Sequence, residues 1–502
     1  MKIESMKTIR DLKSYGYKSR SIKDEMRENL ISFLKKNENP FEGIIGYDDS
    51  VIPELQTAIL SRHNIILLGL RGQAKTKIAR LMINLLDEYL PIIDGTELND
   101  DPFNPISVTA KQIIHEDKDY TRIRWIHRNE RYTEKLATPD VSVADLIGDV
   151  DPIKAASLKL PYSDERVIHF GLIPRSHRSI FVINELPDLQ ARIQVALFNI
   201  LEERDIQIRG FKVRMPLDIQ FVFTANPEDY TNRGSIVTPL KDRIDSQILT
   251  HYPKSIDYSR LITEQEANLA AEQKEKVKSS DLLTDLIELI GFEARDSEYI
   301  DAKSGVSARL TISAYENLIS TAERRNLING DSETSLRVSD LFGVIPSVTG
   351  KIELVYEGEQ EGPYKVAQIL IGKAIKNHFG NLFPTPENLK KTESESPYLP
   401  IIHWFQKGNK IDLLADLSKK DYEKRLQQVP GLSKIVDKYF SKEKSETKYL
   451  LMEFVLFGLS EHSLLSRFRL ENGIQFKDML SSMFSMSSDD EPNEDETRLF
   501  RD

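Results

Sequence analysis

Between positions 40 and 253, short runs of consecutive apolar residues alternate with stretches whose apolar residues recur every three or four positions. The runs predict strands at 64–68, 121–125, 179–184, 219–224 and 247–250. The near-continuous hydrophobicity of Ile180 to Ile183 and of Ile219 to Phe223 suits strands covered on both faces. Strands alternating with helices imply an α/β layer on a mostly parallel sheet. Beyond 253 the helical period takes over, at 258–276, 282–294, 310–325, 338–345 and 366–378. The expected organisation is a helical leader (1–39) with Leu30, Ile31, Phe33 and Leu34 as its apolar face, an α/β core (40–255), and an all-helical domain (256–382). A polar, proline-bearing linker (383–402), a helical C-terminal region (403–484) and an acidic tail read as disordered (485–502) complete it.

The junction after the first strand carries the most chemistry. Gly69-Leu70-Arg71-Gly72-Gln73-Ala74-Lys75-Thr76 joins the apolar run to a helical pattern that begins with Lys77 and Ile78. A strand, a glycine-bearing turn and a helix opening on Lys-Thr form the context of a phosphate-binding loop. Backbone N–H groups and the helix N-terminus would face one anion, and Lys75 would add a mobile positive charge. The hydroxyl of Thr76 would sit on a magnesium ion bridging the phosphates. Ala74 stands where the general pattern has glycine, and its methyl is tolerable if its φ is negative.

Composition narrows the class. The 502 residues suggest about three domains. With 40% hydrophobic and 29% charged residues, the chain reads as soluble and globular. A net charge of −11 provides no general basic field for nucleic acid or acidic lipid. The absence of cysteine excludes disulfides and thiolate metal sites. No apolar stretch approaches a membrane span, and the first residues lack the apolar core of a secretion signal, so the cytoplasm is expected. His177 and His251 read as structural residues.

Two further strand ends extend the pattern. The third apolar run ends in Asn184-Glu185, beside the loop in such folds, where acidic groups hold magnesium and polarise water. Glu185 is the candidate general base. Asn184 would meet the metal through water, without the charge of an aspartate. Asn226, at the end of the fourth run, can orient the attacking water. Arg243 precedes the last strand, where in a ring it could reach a neighbour's phosphate. Arg309 opens a helix of the second domain, as a lid contact would.

These elements resemble the AAA+ ATPases and, within them, the MoxR and magnesium-chelatase I-subunit group, over about residues 40–325. The form G-x-x-G-x-A-K-[ST] is similar to that group's phosphate loop. Phe41 to Gly46 resembles the segment lining its adenine pocket, which implies that Ile44 and Ile45 contact the base. The resemblance implies an AAA+ P-loop core with β-hairpin inserts at 140–173 and 205–214, a helical lid, and ATP and Mg2+ as cofactors. It also implies a homo-oligomeric ring, expected to be hexameric, hydrolysing ATP at subunit boundaries. The leading functional reading is a motor that remodels a protein client. With no metal-adhesion signature in this chain, a von Willebrand A-type partner would be a separate chain. Metal insertion into a tetrapyrrole is one alternative. A nucleic-acid translocase is another, permitted by Arg209, Lys212 and Arg214 but opposed by the acidic total. Restoring aspartate at Asn184 is expected to lower the magnesium requirement.

Overall fold

Five strands form the parallel sheet: β1 (Ile65–Leu68), β2 (Tyr132–Leu136), β3 (Ser179–Asn184), β4 (Ile219–Ala225) and β5 (Ser246–Leu249), in the order β2-β3-β4-β1-β5. β1, β3 and β4 are buried along their whole length. Their side chains alternate between two apolar clusters. Ile65, Leu67, Ile180, Val182 and Val222 join one, which includes Ile78 and Ala79 of the helix Lys75–Leu81. Ile66, Leu68, Phe181, Ile183, Phe221 and Phe223 join the other. A period of two on a sheet covered on both faces produces this division.

This computed structural model describes residues 6–162, 164–203, 205–206, 215–227, 235–387 and 396–479. The chain divides into two compact units, 1–252 and 253–502. The hairpin expected at 205–214 falls almost wholly outside the described residues, as does the acidic tail.

The run at 121–125 is a strand, Ile123–His127, but it pairs antiparallel with Tyr89–Ile93 and stands apart from the main sheet. The parallel sheet takes Tyr132–Leu136 in its place, as an edge strand. Its sequence, Tyr-Thr-Glu-Lys-Leu, is polar because an edge strand is only half covered, so periodicity alone does not announce it. Within 140–173, Gly148–Val150 and Ile168–Phe170 form a two-stranded antiparallel pair around a helix at Pro152–Leu158.

The leader is part of the first unit's core. Helix Ile22–Lys36 is capped by the Ser21 side chain, which accepts from Asp24 N. It buries Ile22, Met26 and Leu30, a stripe at four-residue spacing, while Leu34 of the expected face is exposed. Glu25 on the same stripe receives two hydrogen bonds from Arg131, at 2.7 and 2.6 Å, in a fully covered, two-pronged ion pair. Asp87 N donates to Glu25 as well (2.7 Å), and Arg131 Nε donates to the Arg178 carbonyl (3.0 Å).

The second unit is mostly helical. Asp281–Arg295, Arg309–Asn329, Pro363–Leu382 and Ser445–Glu461 are its long helices. Ser445–Glu461 is buried at every position from Leu450 to Leu459, so it is a central helix with no wet face in that stretch. The C-terminal region also holds a three-stranded antiparallel sheet, Ile411–Leu414, Gly473–Lys477 and Ser466–Leu470. One apolar core runs from Val277 to Phe476 and includes Phe383, Tyr398 and Ile401.

Removing one partner of the Glu25–Arg131 pair leaves a buried charge uncompensated. Glu25→Ala is expected to destabilise the first unit by about 3–5 kcal/mol. Denaturant unfolding, compared with the exposed-site control Glu28→Ala, checks this. A loss no larger than the control's would show that the pair contributes nothing.

Candidate functional site

Because all five strands run the same way, their C-terminal ends share one edge of the sheet. At that edge β1 passes into the loop 69–74. Gly69 N donates to the Ala225 carbonyl at 3.1 Å, tying the loop to the end of β4. A Cβ at Gly69 would overlap Thr250 Oγ1 and Gln73 Oε1, so this position requires glycine. Thr250 Oγ1 donates to Gln73 Oε1 (2.7 Å), and Tyr47 donates to the Gln73 and His251 carbonyls (3.1 and 2.7 Å). Tyr252 donates to the Arg71 carbonyl at 3.1 Å. The loop is therefore braced from both flanks by side chains outside the motif.

Gly72 has φ 76° and Ala74 has φ 58°. The condition under which a methyl at Ala74 would be strain-free, a negative φ, is not met: Ala74 takes the left-handed conformation that glycine adopts without penalty. An L residue there carries about 1–2 kcal/mol of strain. Glu185, just past β3, is a second such residue, with φ 55° and ψ 50°. Side chains held in sparsely populated backbone regions gather at functional sites because the surroundings must over-determine them.

Lys75 is buried, and its ammonium donates to the carbonyls of Gly69 and Leu70 and to Asn226 Oδ1, the last at 2.8 Å. Asn226 Nδ2 in turn donates to Glu185 Oε2 at 3.0 Å. The ends of β3 and β4 and the start of the loop helix are joined in one line of polar contacts. Thr224 Oγ1 sits behind it, accepting from Glu185 N (3.2 Å) and donating to Asn184 Oδ1 (3.0 Å). Asn184 Nδ2 donates to Glu134 Oε1 at 2.6 Å, and Glu134 also pairs with Arg80 and accepts from the Tyr132 hydroxyl.

The remaining candidates are placed as follows. Thr76 is the second residue of the loop helix, and Lys77 Nζ donates to the Gly43 carbonyl at 3.1 Å, beside Ile44 and Ile45. Ile44 is buried in the cluster that also holds Tyr47 and Ile78. Arg243 lies ahead of β5, at the opposite edge of the sheet from the loop. It donates to Glu202 (2.7 Å) and the Pro239 carbonyl (2.9 Å) and covers the Phe198 ring. Arg309 opens a helix of the second unit, its N donating to Ser307 Oγ. The chain's own fold thus unites Lys75, Asn226, Glu185 and Asn184, but not Arg243. His177 is buried, and burial together with the Arg178 charge holds its pKa down to about 3. Its Nδ1 accepts from Asp218 N (3.1 Å), as a neutral structural imidazole does.

Oxygen donors at this edge fit a hard divalent cation: the Thr76 hydroxyl, the Asn184 carboxamide and the Glu134 carboxylate behind it. Among the described residues no cluster of three His, Asp or Glu side chains makes an all-protein metal cage. A cation here would share its shell with phosphate oxygens and water, as magnesium does. Sequence reasoning passed over Glu134 and the residues that brace the loop from outside it, Tyr47, Thr250 and Tyr252. Glu134 lies fifty positions from Asn184, and only the pairing Leu136↔Asn184 of β2 with β3 brings them together.

Residues 120–244 match the AAA domain family, dynein-related subfamily. The α/β unit has the AAA+ P-loop fold. The matched segment covers β2, β3 and β4 and ends just past Arg243, whereas the loop 69–76 lies ahead of it. No curated protein sequence matches the chain. Among solved structures, the chain is similar to a candidate ATPase from Cytophaga hutchinsonii, at 16% identity over 72% of this chain and 97% of the other, with TM-score 0.29. The magnesium chelatase BchI–BchD complex is 17% identical over 64% and 98%, with TM-score 0.34. NtrX from Brucella abortus in complex with ADP is 13% identical over 73% of this chain and 70% of the other, with TM-score 0.37. Scores this low mark a loose likeness.

The left-handed Ala74 makes a testable claim. Ala74→Gly removes about 1–2 kcal/mol of strain and adds about 0.5–1 kcal/mol of unfolded-state freedom. The unit is expected to be unchanged or up to about 1.5 kcal/mol more stable on denaturant unfolding. A loss of about 1 kcal/mol, as at an ordinary helical site, would contradict the assigned backbone.

Proposed function

We propose that the first unit binds ATP with magnesium and hydrolyses it, and that the chain is the subunit of a ring that remodels a protein client. The observation that carries this reading is the line from Lys75 through Asn226 to Glu185, set at the ends of β3 and β4 beside a left-handed loop. A buried ammonium directed at loop carbonyls is a charge held ready for an anion that enters the loop. Phosphate oxygens are stronger acceptors than those carbonyls, so the ammonium would move to them. When bound, magnesium neutralises charge on the phosphates. Asn226, hydrogen-bonded to Glu185, is suited to orienting a water toward the terminal phosphate. The Glu185 carboxylate then takes the water's proton as its oxygen bonds to phosphorus and the bond to the leaving diphosphate breaks.

Two substitutions separate binding from chemistry. Lys75→Ala is expected to leave the fold intact and remove most nucleotide affinity, since the charge serves the phosphates. Glu185→Gln should keep nucleotide affinity and lose hydrolysis by a factor on the order of 10²–10⁴. Calorimetric binding of ATP and phosphate release measure the two. Unchanged affinity in folded Lys75→Ala, or normal turnover in Glu185→Gln, would remove that residue from its role.

The ring is supported by Arg243, which lies at the far edge of the sheet from its own loop and so is available to a neighbouring subunit. Mixing Arg243→Ala with Lys75→Ala subunits would create some boundaries with an intact loop and an intact arginine. Phosphate release should partly return. Mixed rings that stay inactive would argue against action across a boundary.

A further inference from the structure

The contact between Asn184 and Glu134 points to a redistribution of charge at the cation site. Asn184 ends β3 on the sheet face that carries Ile180 and Val182, and that face packs against the loop helix bearing Thr76. Its amide is oriented by two bonds of opposite sense. The oxygen accepts from Thr224 Oγ1, and the nitrogen donates to Glu134 Oε1 at 2.6 Å. Glu134 reaches that position because Glu134 and Leu136 face the same way on β2, and Leu136 pairs with Asn184. Its second oxygen is held by the Tyr132 hydroxyl and by Arg80 Nε, both 3.0 Å away, and Arg80 Nη2 also donates to Oε1 at 3.2 Å. Arg80 is 63% exposed, so water screens much of its counter-charge. The carboxylate, by contrast, is largely covered, at 23% exposed.

We propose that Glu134 is the positioning carboxylate of the magnesium site, supplying from the neighbouring strand the negative charge that Asn184 does not carry. This rests on the phosphate-loop reading above. The Asn184 amide, polarised by the carboxylate behind it and fixed through its oxygen by Thr224, would meet the cation's hydration shell, and the charge would act through that amide. The arrangement changes what Asn184→Asp should do. An aspartate would set two carboxylates against each other at the spacing the amide hydrogen bond now spans, so the single substitution does not improve the site. With Glu134→Gln beside it, the hydrogen bond and the charge count are both restored, with the donor and acceptor exchanged.

The test uses the full chain and a non-hydrolysable ATP analogue, AMP-PNP, so that no readout depends on turnover. Calorimetry gives its affinity with EDTA and along a magnesium titration. Glu134→Gln is expected to raise the magnesium concentration for half-maximal effect about tenfold, equivalent to ~1.4 kcal/mol. Affinity in EDTA should stay the same or tighten. Arg80→Ala should shift the midpoint the other way, since it removes the opposing charge. Glu134→Gln with Asn184→Asp should return it toward the wild-type value, which a merely structural role for Glu134 would not produce. Equal midpoints in wild type and Glu134→Gln overturn the proposal and leave the phosphate loop standing. A raised midpoint that the double variant fails to bring back also overturns it. Wild-type protein that does not bind AMP-PNP overturns both readings.

Discussion

The parallel register of the buried sheet is the constraint on which the rest of the first unit depends. Parallel strands cannot be joined by tight hairpins, so each end at the shared edge passes into a loop or a helix. That places the loop after Leu68, the Asn184-Glu185 corner and Asn226 along one line, although more than a hundred and fifty residues separate the first from the last. The apolar runs that cover both faces of β1, β3 and β4 hold this register. A slip of one residue would turn Ile65, Leu67 and Val182 into the opposite cluster.

On this frame, strain and buried charge are tolerated where the surroundings compensate for them. Ala74 and Glu185 both occupy left-handed backbone. Each is followed or flanked by groups that fix it. Lys75 binds back to the loop, and the Glu185 N–H and carboxylate are held by Thr224 and Asn226. The Glu25–Arg131 pair plays the corresponding part at the edge where β2 and β3 begin. It ties the leader helix, the turn at Asp87 and the approach to β2 into one core. In the second unit the buried carboxylate of Glu453 is likewise satisfied by hydrogen bonds. Glu453, enclosed in the central helix, accepts from Val338 N, Ser339 N and the Tyr422 hydroxyl.

Much of the first unit was legible in the chain because its signals are local. Near-continuous apolar runs announced β1, β3 and β4, and the strand–loop–helix order around Gly69 and Lys75 announced the loop. Local patterns failed where pairing decides the outcome. Ile123–His127 has the composition of a sheet strand, yet it joins Tyr89–Ile93, while the polar Tyr132–Leu136 takes the edge of the main sheet. The strands of the C-terminal region are short and half covered, so the helical periods around them dominate the reading.

What the sequence by itself determined is therefore the set of elements with a strong period or a tight turn, and the identity of the polar residues at their ends. Hydrophobic period and turn chemistry act over a few residues and need no partner to be read. Only the tertiary structure decided which strands are neighbours, that Ala74 takes a positive φ, that Arg243 lies away from its own loop, and that Glu134 stands against Asn184. Those outcomes depend on contacts between residues tens to hundreds of positions apart. Their energies come from pairing and burial rather than from any local preference.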